Sequence, residues 1–325
     1  MVTLEDIRRA QVRLREVAVR TSLIESHVHQ AAAADHRRLF LKPENQQPIG
    51  AFKLRGAFNK VAALAEEERQ RGVITYSSGN HAQGVAYAAR AKGVKCVVVM
   101  PNNAPVTKLE ATRALGAEIV MVGPGSVERQ TKAEELAQQH GYAIIPPYND
   151  EAIIAGQGTI GLEILEDLPE VECVLAPVSG GGLLSGIATA IKLSKHSVKV
   201  IGVEPGLAPD AQTSFREGKI VEFPAEQVSR TIADGLRTQS VGAINFEHIQ
   251  AYVDDIITVT EEEILEATRL LASNPKTVAE PSGAVATAGF LFHRDQLPQT
   301  KMNVAVISGG NIEPELLARI RSKAP

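Results

Sequence analysis

Tryptophan is absent from the 325 residues, and aromatic side chains make up only 4% of them. So few rings leave little of the stacking surface that single-stranded nucleic acid needs. Neither sign of charge dominates: 38 acidic and 34 basic side chains give a formal net charge of -4. That balance offers no electrostatic footprint for nucleic acid or an anionic membrane. Cysteine is scarce as well. Cys96 and Cys173 stand alone in apolar runs and form no Cys-x-x-Cys pair, so they read as small buried hydrophobes. No apolar run approaches the roughly 20 residues that span a bilayer. The charged start, Met1-Val2-Thr3-Leu4-Glu5-Asp6, lacks the apolar core of a signal peptide. The expectation is a soluble cytoplasmic protein that binds neither nucleic acid nor membrane.

What is present is ordinary globular material, 44% hydrophobic and 22% charged, long enough for about two domains. Thr3, with Asp6 three residues on, is positioned to cap a first helix. Short apolar runs at 39–41, 73–76, 95–100, 118–122, 143–145, 173–177, 198–203, 252–258 and 304–307 read as strands. Helical stretches such as 81–91, 105–115 and 127–140 lie between them. Continuous apolar strands separated by helices predict an α/β fold of parallel sheets covered on both faces, with ligands outside the carboxyl ends of strands. The block from 73 to 145 carries its own strand–helix units, which sets domain joints near 69 and 149.

Three predicted strands run into glycine-bearing loops: Ser77-Ser78-Gly79-Asn80-His81, Ser179-Gly180-Gly181-Gly182-Leu183 and Ser308-Gly309-Gly310-Asn311. A loop of this kind before a helix presents unpaired backbone N–H groups to an anion, most often a phosphate. Three consecutive glycines make the second loop the best cradle. Gly180-x-Gly182 followed by Gly186, with Glu204 at the end of the next strand, approximates a dinucleotide fingerprint, but Ser185 stands where the third glycine belongs. A nicotinamide-dependent dehydrogenase therefore stays as a weak competing reading. Lys53 begins a helical stretch, where its charge opposes the macrodipole, and Phe52 and Leu54 flank it. Partial desolvation lowers an amine's pKa and makes it a nucleophile. A surface lysine is the ordinary alternative. A phosphate cradle together with an activated lysine suits pyridoxal phosphate chemistry.

These segments, in this order, resemble the fold-type II pyridoxal-phosphate enzymes of the serine/threonine dehydratase and serine racemase family. Gly50-Ala51-Phe52-Lys53-Leu54-Arg55-Gly56-Ala57 is similar to that family's Schiff-base segment, and the 77–84 loop to its substrate-carboxylate loop. Ser179-Gly180-Gly181-Gly182-Leu183 resembles its phosphate loop and Ser308-Gly309-Gly310-Asn311 its cofactor-ring loop, while Gly156-Gln157-Gly158-Thr159 and Ile232-Ala233-Asp234-Gly235 also fit. Two positions depart from the pattern: Ala51 stands where serine is common, and Ser179 opens the phosphate loop in place of glycine.

The resemblance implies two open parallel-sheet domains with helices on both faces and the cofactor in the cleft between them. Residues 1–68 and 150–325 would form the large cofactor-binding domain, and 69–149 the small domain that receives the substrate carboxylate. Lys53 would carry pyridoxal phosphate and act as base on the substrate α-carbon. Phe52 would pack on the ring, Asn80 would bond its hydroxyl, and Ser308 would face its nitrogen. Gly180, Gly181, Gly182 and Leu183 would hold the phosphate, and Ser77, Ser78, Asn80 and His81 the substrate. Glu204, Ala208 and Asp210 resemble the divalent-cation site of the racemase branch, two carboxylates and a carbonyl suited to magnesium or calcium. On spacing alone, solvated surface acids are the commoner reading of such a pair. The expected activity is an ammonia-lyase (dehydratase) that converts a β-hydroxy amino acid such as L-threonine or L-serine to a 2-oxo acid and ammonia, in a homodimer. A serine racemase with dehydratase side activity, in which Ser78 serves the second face of the α-carbon, is the alternative. A dehydratase for 3-hydroxyaspartate or another bulkier 3-hydroxy amino acid is a further one.

Overall fold

A computed structural model of the chain describes residues 1–27, 36–77, 79–123 and 125–322. Ten strands are assigned: β1 (Ile24–Ser26), β2 (Arg38–Pro43), β3 (Val73–Tyr76), β4 (Cys96–Pro101), β5 (Glu118–Val122), β6 (Ala143–Ile144), β7 (Cys173–Pro177), β8 (Lys199–Pro205), β9 (Asp255–Val259) and β10 (Met302–Ile307). They form a six-stranded sheet in the order β1-β2-β10-β7-β8-β9 and a four-stranded sheet in the order β5-β4-β3-β6. Pairing is parallel throughout except at the edge, where β1 runs antiparallel to β2. The sequence reading passed over β1 because Ile24-Glu25-Ser26 is too short and too polar to stand out as an apolar run. The first helix, Leu4–Leu14, is capped as expected: Thr3 and Asp6 form a reciprocal box.

Strands β4 and β7 are buried at every position, as parallel strands covered on both faces must be. The largest core cluster packs the helix Pro281–Phe292 against the six-stranded sheet, with Leu175, Val203, Ala284, Ala288 and Phe290 all fully buried. A separate cluster ties the four-stranded sheet to the helix Lys53–Ala63 through Phe58, Val61, Val85 and Met100. The joint expected between 68 and 69 falls inside the short helix Glu66–Arg71. No helix among the described residues is long and apolar enough to cross a membrane.

Strand order decides where ligands go. In the four-stranded sheet the chain runs β3, β4, β5 to one side and returns to place β6 on the other side of β3. In the six-stranded sheet it runs β7, β8, β9 and returns to place β10 beside β7. Each sheet thus has a topological switch point, at β3/β6 and at β7/β10, and the crevice outside the strand ends at such a point is where α/β folds bind ligands. All three glycine loops leave from these strands.

Candidate active site

Lys53 opens the helix Lys53–Ala63 beside both crevices. The Phe52 N–H donates to the Ser308 carbonyl at 3.0 Å and the Gly310 N–H to the Gly50 carbonyl at 2.9 Å, which fastens the lysine segment to the loop after β10. The Lys53 ammonium donates to the Pro147 carbonyl, just past β6, at 2.7 Å, and lies 5.2 Å from the Phe52 ring centroid. Burial lowers its pKa to about 8. An amine so placed has a substantial neutral fraction near neutral pH, which a nucleophile or base requires.

The loop after β7 is a backbone cradle. Gly181 takes a left-handed conformation with φ of +96°, and the helix Gly182–Ser194 begins without a side-chain cap, so its first amides have no side-chain partner. A Cβ on Gly180 would lie 2.5 Å from the Tyr148 ring, so only glycine leaves that approach open. The Gly180 carbonyl accepts from the Asn245 amide at 2.5 Å and from the Gly242 N–H at 3.0 Å, which locks the loop from behind. Leu183 is buried. Ser179, the departure from the family pattern, has its hydroxyl 2.7 Å from that of Thr238. A Cβ on Gly186 would lie 2.5 Å from the Ile154 carbonyl, so this glycine permits the helices Glu151–Asp167 and Gly182–Ser194 to pack. Glu204, the supposed ribose acid of the fingerprint, is fully buried. The dinucleotide reading loses both of its supports.

The remaining loops converge on the same cleft. Asn80 donates to the Glu280 carboxylate at 2.5 Å and accepts from Asn311 at 2.8 Å. Burial, reinforced by the charge of Asp234, raises Glu280 to about 7. The Ser308 hydroxyl, buried, is 3.4 Å from the Ser282 carbonyl. Ala51 is fully buried and forms an antiparallel bridge with Gly309. The Ser77 hydroxyl accepts from the Gly79 N–H at 3.3 Å. His81 turns its ring inward: Nε2 is 3.0 Å from the Ile145 carbonyl, and burial, then the Lys53 charge, lowers its pKa to about 3. The imidazole is therefore neutral, and what His81 presents toward the loop is backbone. Ser78 lies outside the described residues.

Glu204 and Asp210 are both fully buried. Glu204 accepts from the Gln212 N–H at 2.7 Å and the Ala211 N–H at 3.2 Å. Neither Asp210 oxygen has a hydrogen-bond partner among the described residues. Burial, with mutual repulsion, holds Glu204 well above the usual carboxylate range, and burial raises Asp210 to about 8. Ala208 is buried beside them in sequence. Two buried carboxylates, one of them with both oxygens unpartnered, carry the oxygen donors that a hard cation takes.

Sequence reasoning missed Glu280, which meets Asn80, and Tyr148, whose ring lies against Gly180. Glu280 stands before Pro281, an N-cap followed by proline, which is a readable helix start but no sign of a polar site. Tyr148 follows Pro146-Pro147 in a segment with no strand or helix pattern.

The chain is similar to known proteins in sequence and fold. Residues 15–309 match the family described as pyridoxal-phosphate dependent enzyme. The chain is 45% identical to an L-threonine ammonia-lyase of Thermotoga maritima, covering 99% of this chain and 79% of that one. It is 38% identical to an L-threo-3-hydroxyaspartate ammonia-lyase of Saccharomyces cerevisiae over 98% of this chain and 96% of that one. Among solved structures, a serine racemase from maize superposes with a TM-score of 0.93 at 35% identity, covering 99% of this chain and 97% of that one.

Proposed function

The chain belongs to the pyridoxal-phosphate dependent enzymes, and from that premise we propose that it acts on a β-hydroxy amino acid of the L-threonine or L-serine type, with Lys53 as anchor and base. That it is a dehydratase of the ammonia-lyase class follows from its relatives. The observation that carries the assignment of Lys53 is its buried amine, lowered to about 8, between two switch points whose loops bring backbone donors together.

The residues fit the cofactor. The amides at 180–183 would hold the phosphate, Phe52 would face the ring, Asn80 would meet the ring hydroxyl, and Ser308 would meet the ring nitrogen. Bound pyridoxal phosphate supplies an electron sink for the pair left when the α-C–H bond breaks. The protein's own work is positioning and proton handling. Lys53 Nζ takes the α-proton. Backbone amides of the 77–81 loop, with the Ser77 hydroxyl, receive the α-carboxylate. Burial, then the Lys53 charge, keeps His81 neutral, so its ring adds no cation to the pocket, and desolvation is what lowers Lys53. Loss of the β-hydroxyl and hydrolysis then release a 2-oxo acid and ammonia.

Residues 69–149 are assigned to the carboxylate-binding domain, and 1–68 with 150–325 to the cofactor domain. Glu204, Asp210 and the Ala208 carbonyl are assigned to magnesium or calcium, which answers the orphaned oxygens of Asp210. Homodimer assembly is assigned by analogy and is checked by light scattering. Racemisation is the second reading, favoured by Ser78 in the sequence and by the likeness to the maize racemase.

The test is a substrate panel scored for 2-oxo acid release, with Lys53→Ala and Ser78→Ala beside the parent. Lys53→Ala is expected to lose the borohydride-reducible cofactor bond and elimination together. Persistence of that bond would overturn the assignment. Ser78→Ala is expected to keep dehydration of the L-substrate and to lose racemisation, since a group that serves one transition state shows its loss in that reaction alone. Equal racemisation by both proteins on chiral chromatography removes Ser78 from that role.

A further inference from the structure

Lys108 sits in the first turn of the helix Val106–Ala114, which follows β4 on the four-stranded sheet. A cation there opposes the helix dipole, and the side chain is also buried, at 9% exposure for the residue. Local structure gives no reason for a lysine at this position. The reason lies across the cleft. Lys108 Nζ is 2.5 Å from Asp234 Oδ2, on a residue 126 positions later. Asp234 opens the turn Asp234–Leu236 on the other unit, and that turn is held in place by Ser282, whose hydroxyl accepts from the Gly235 N–H at 2.8 Å and lies 3.4 Å from Asp234 Oδ1. One residue earlier, the Thr107 hydroxyl donates to Glu313 at 2.9 Å, a second tie across the same gap.

The pair also reaches the substrate loop. A Cβ built on Gly79 would lie 4.0 Å from Lys108 Nζ. The ammonium thus lies beside Gly79 in the loop after β3, while its partner belongs to the turn Asp234–Leu236. Burial opposes the charge, but Asp234, Glu280 and Glu313 outweigh it and keep Lys108 protonated.

We propose that Lys108 is a substrate-positioning residue: its ion pair with Asp234 clamps the helix Val106–Ala114 onto the opposite unit and sets the amides of Gly79, Asn80 and His81 where they receive the substrate α-carboxylate. This deepens the functional reading given above and rests on it. A clamp of this kind changes carboxylate binding more than the chemistry at the α-carbon, so its loss belongs in KM. Because the two residues act as one unit, their losses do not add.

The experiment compares the holoenzyme with Lys108→Met, Asp234→Asn, the double variant and Lys108→Arg. With the substrate the parent uses best, each single neutral variant is expected to raise KM about tenfold with kcat changed less than about threefold. The double variant is expected to be no worse than the worse single, and Lys108→Arg to recover most of the loss. The near-visible cofactor absorbance is expected to match the parent in all four. A readout free of turnover is hydrogen exchange: amides of 106–114 and of the 77–81 loop are expected to exchange about tenfold faster in both singles, with the helix Glu261–Leu271 unchanged. KM within about twofold of the parent, losses that multiply in the double variant, loss of the cofactor band, or unchanged exchange would each overturn the clamp. If the parent releases no 2-oxo acid from any hydroxy amino acid, the functional reading fails, and exchange alone still decides whether the pair clamps the loop. Should Lys108→Met not fold, Asp234→Asn against the parent carries the same tests.

Discussion

Two regions bury charge in opposite ways. Two residues beyond Lys53, Arg55 is 1% exposed and donates to Glu44 at 2.7 and 2.9 Å and to Glu163 at 2.7 and 2.9 Å. Lys42, fully buried, donates to Glu163 at 2.6 Å, and Thr21 donates to Glu44 at 2.9 Å. Two cations meet two anions there. Although burial works against it, Arg55 holds Glu44 below its ordinary range. At Glu204 and Asp210 two anions meet none, and both are pushed up. A buried charge must be paired. The first region is balanced within the chain, whereas the second has no cation among the described residues, which is why a divalent cation is proposed there. The helix that carries Lys53 also carries Arg55, so this self-sufficient cluster anchors the start of that helix.

The sharpest way to break the contrast is to remove one member of the complete cluster. Arg55→Met leaves two carboxylates buried beside one lysine, and truncating a buried pair costs roughly 3–5 kcal/mol. A large fall in the urea midpoint is expected, the same with and without a chelator. A loss of unfolding free energy under about 1 kcal/mol would show that the cluster relaxes or admits water.

Chelation addresses the other region. Stripping a divalent cation held at one hundred times its dissociation constant removes about 2.7 kcal/mol. Thermal midpoint and activity are expected to drop in chelator and to recover in magnesium or calcium. Glu204→Gln and Asp210→Asn are expected to lose this response. Unaltered response in both variants would return the pair to ordinary buried acids.

The smallest effect belongs to a third solution, burial in the neutral form. His81 has a folded pKa of about 3 against an ordinary 6.5. A group whose folded pKa is lowered in this sense binds its proton more readily when unfolded, so stability is full above pH 6.5 and falls as pH drops toward 3. Between pH 7.5 and 5.5 this amounts to about 1.4 kcal/mol. His81→Gln is expected to flatten that part of the pH–stability curve. An unchanged slope would show that His81 does not carry it.

The strand–glycine loop–helix junctions, the lysine at a helix start and nearly every strand were legible in the sequence, since each is built from contiguous residues whose backbone preferences are local. The short edge strand β1 was not, because its pairing with β2 rather than its own composition makes it a strand. Gly186 misled for a related reason: its absent Cβ serves the contact of two helices rather than a phosphate.

The order of motifs along the chain by itself determined the family and singled out the positions proposed for the chemistry. Tertiary structure alone decided who meets whom. Asn80 and Glu280 are 200 residues apart, Lys108 and Asp234 126, and Arg55 and Glu163 108. Such pairs leave no periodicity to read, because the distance between them is set by sheet order and helix packing. Charge balance within a buried site is a property of those meetings, and so is the pKa of every group in it.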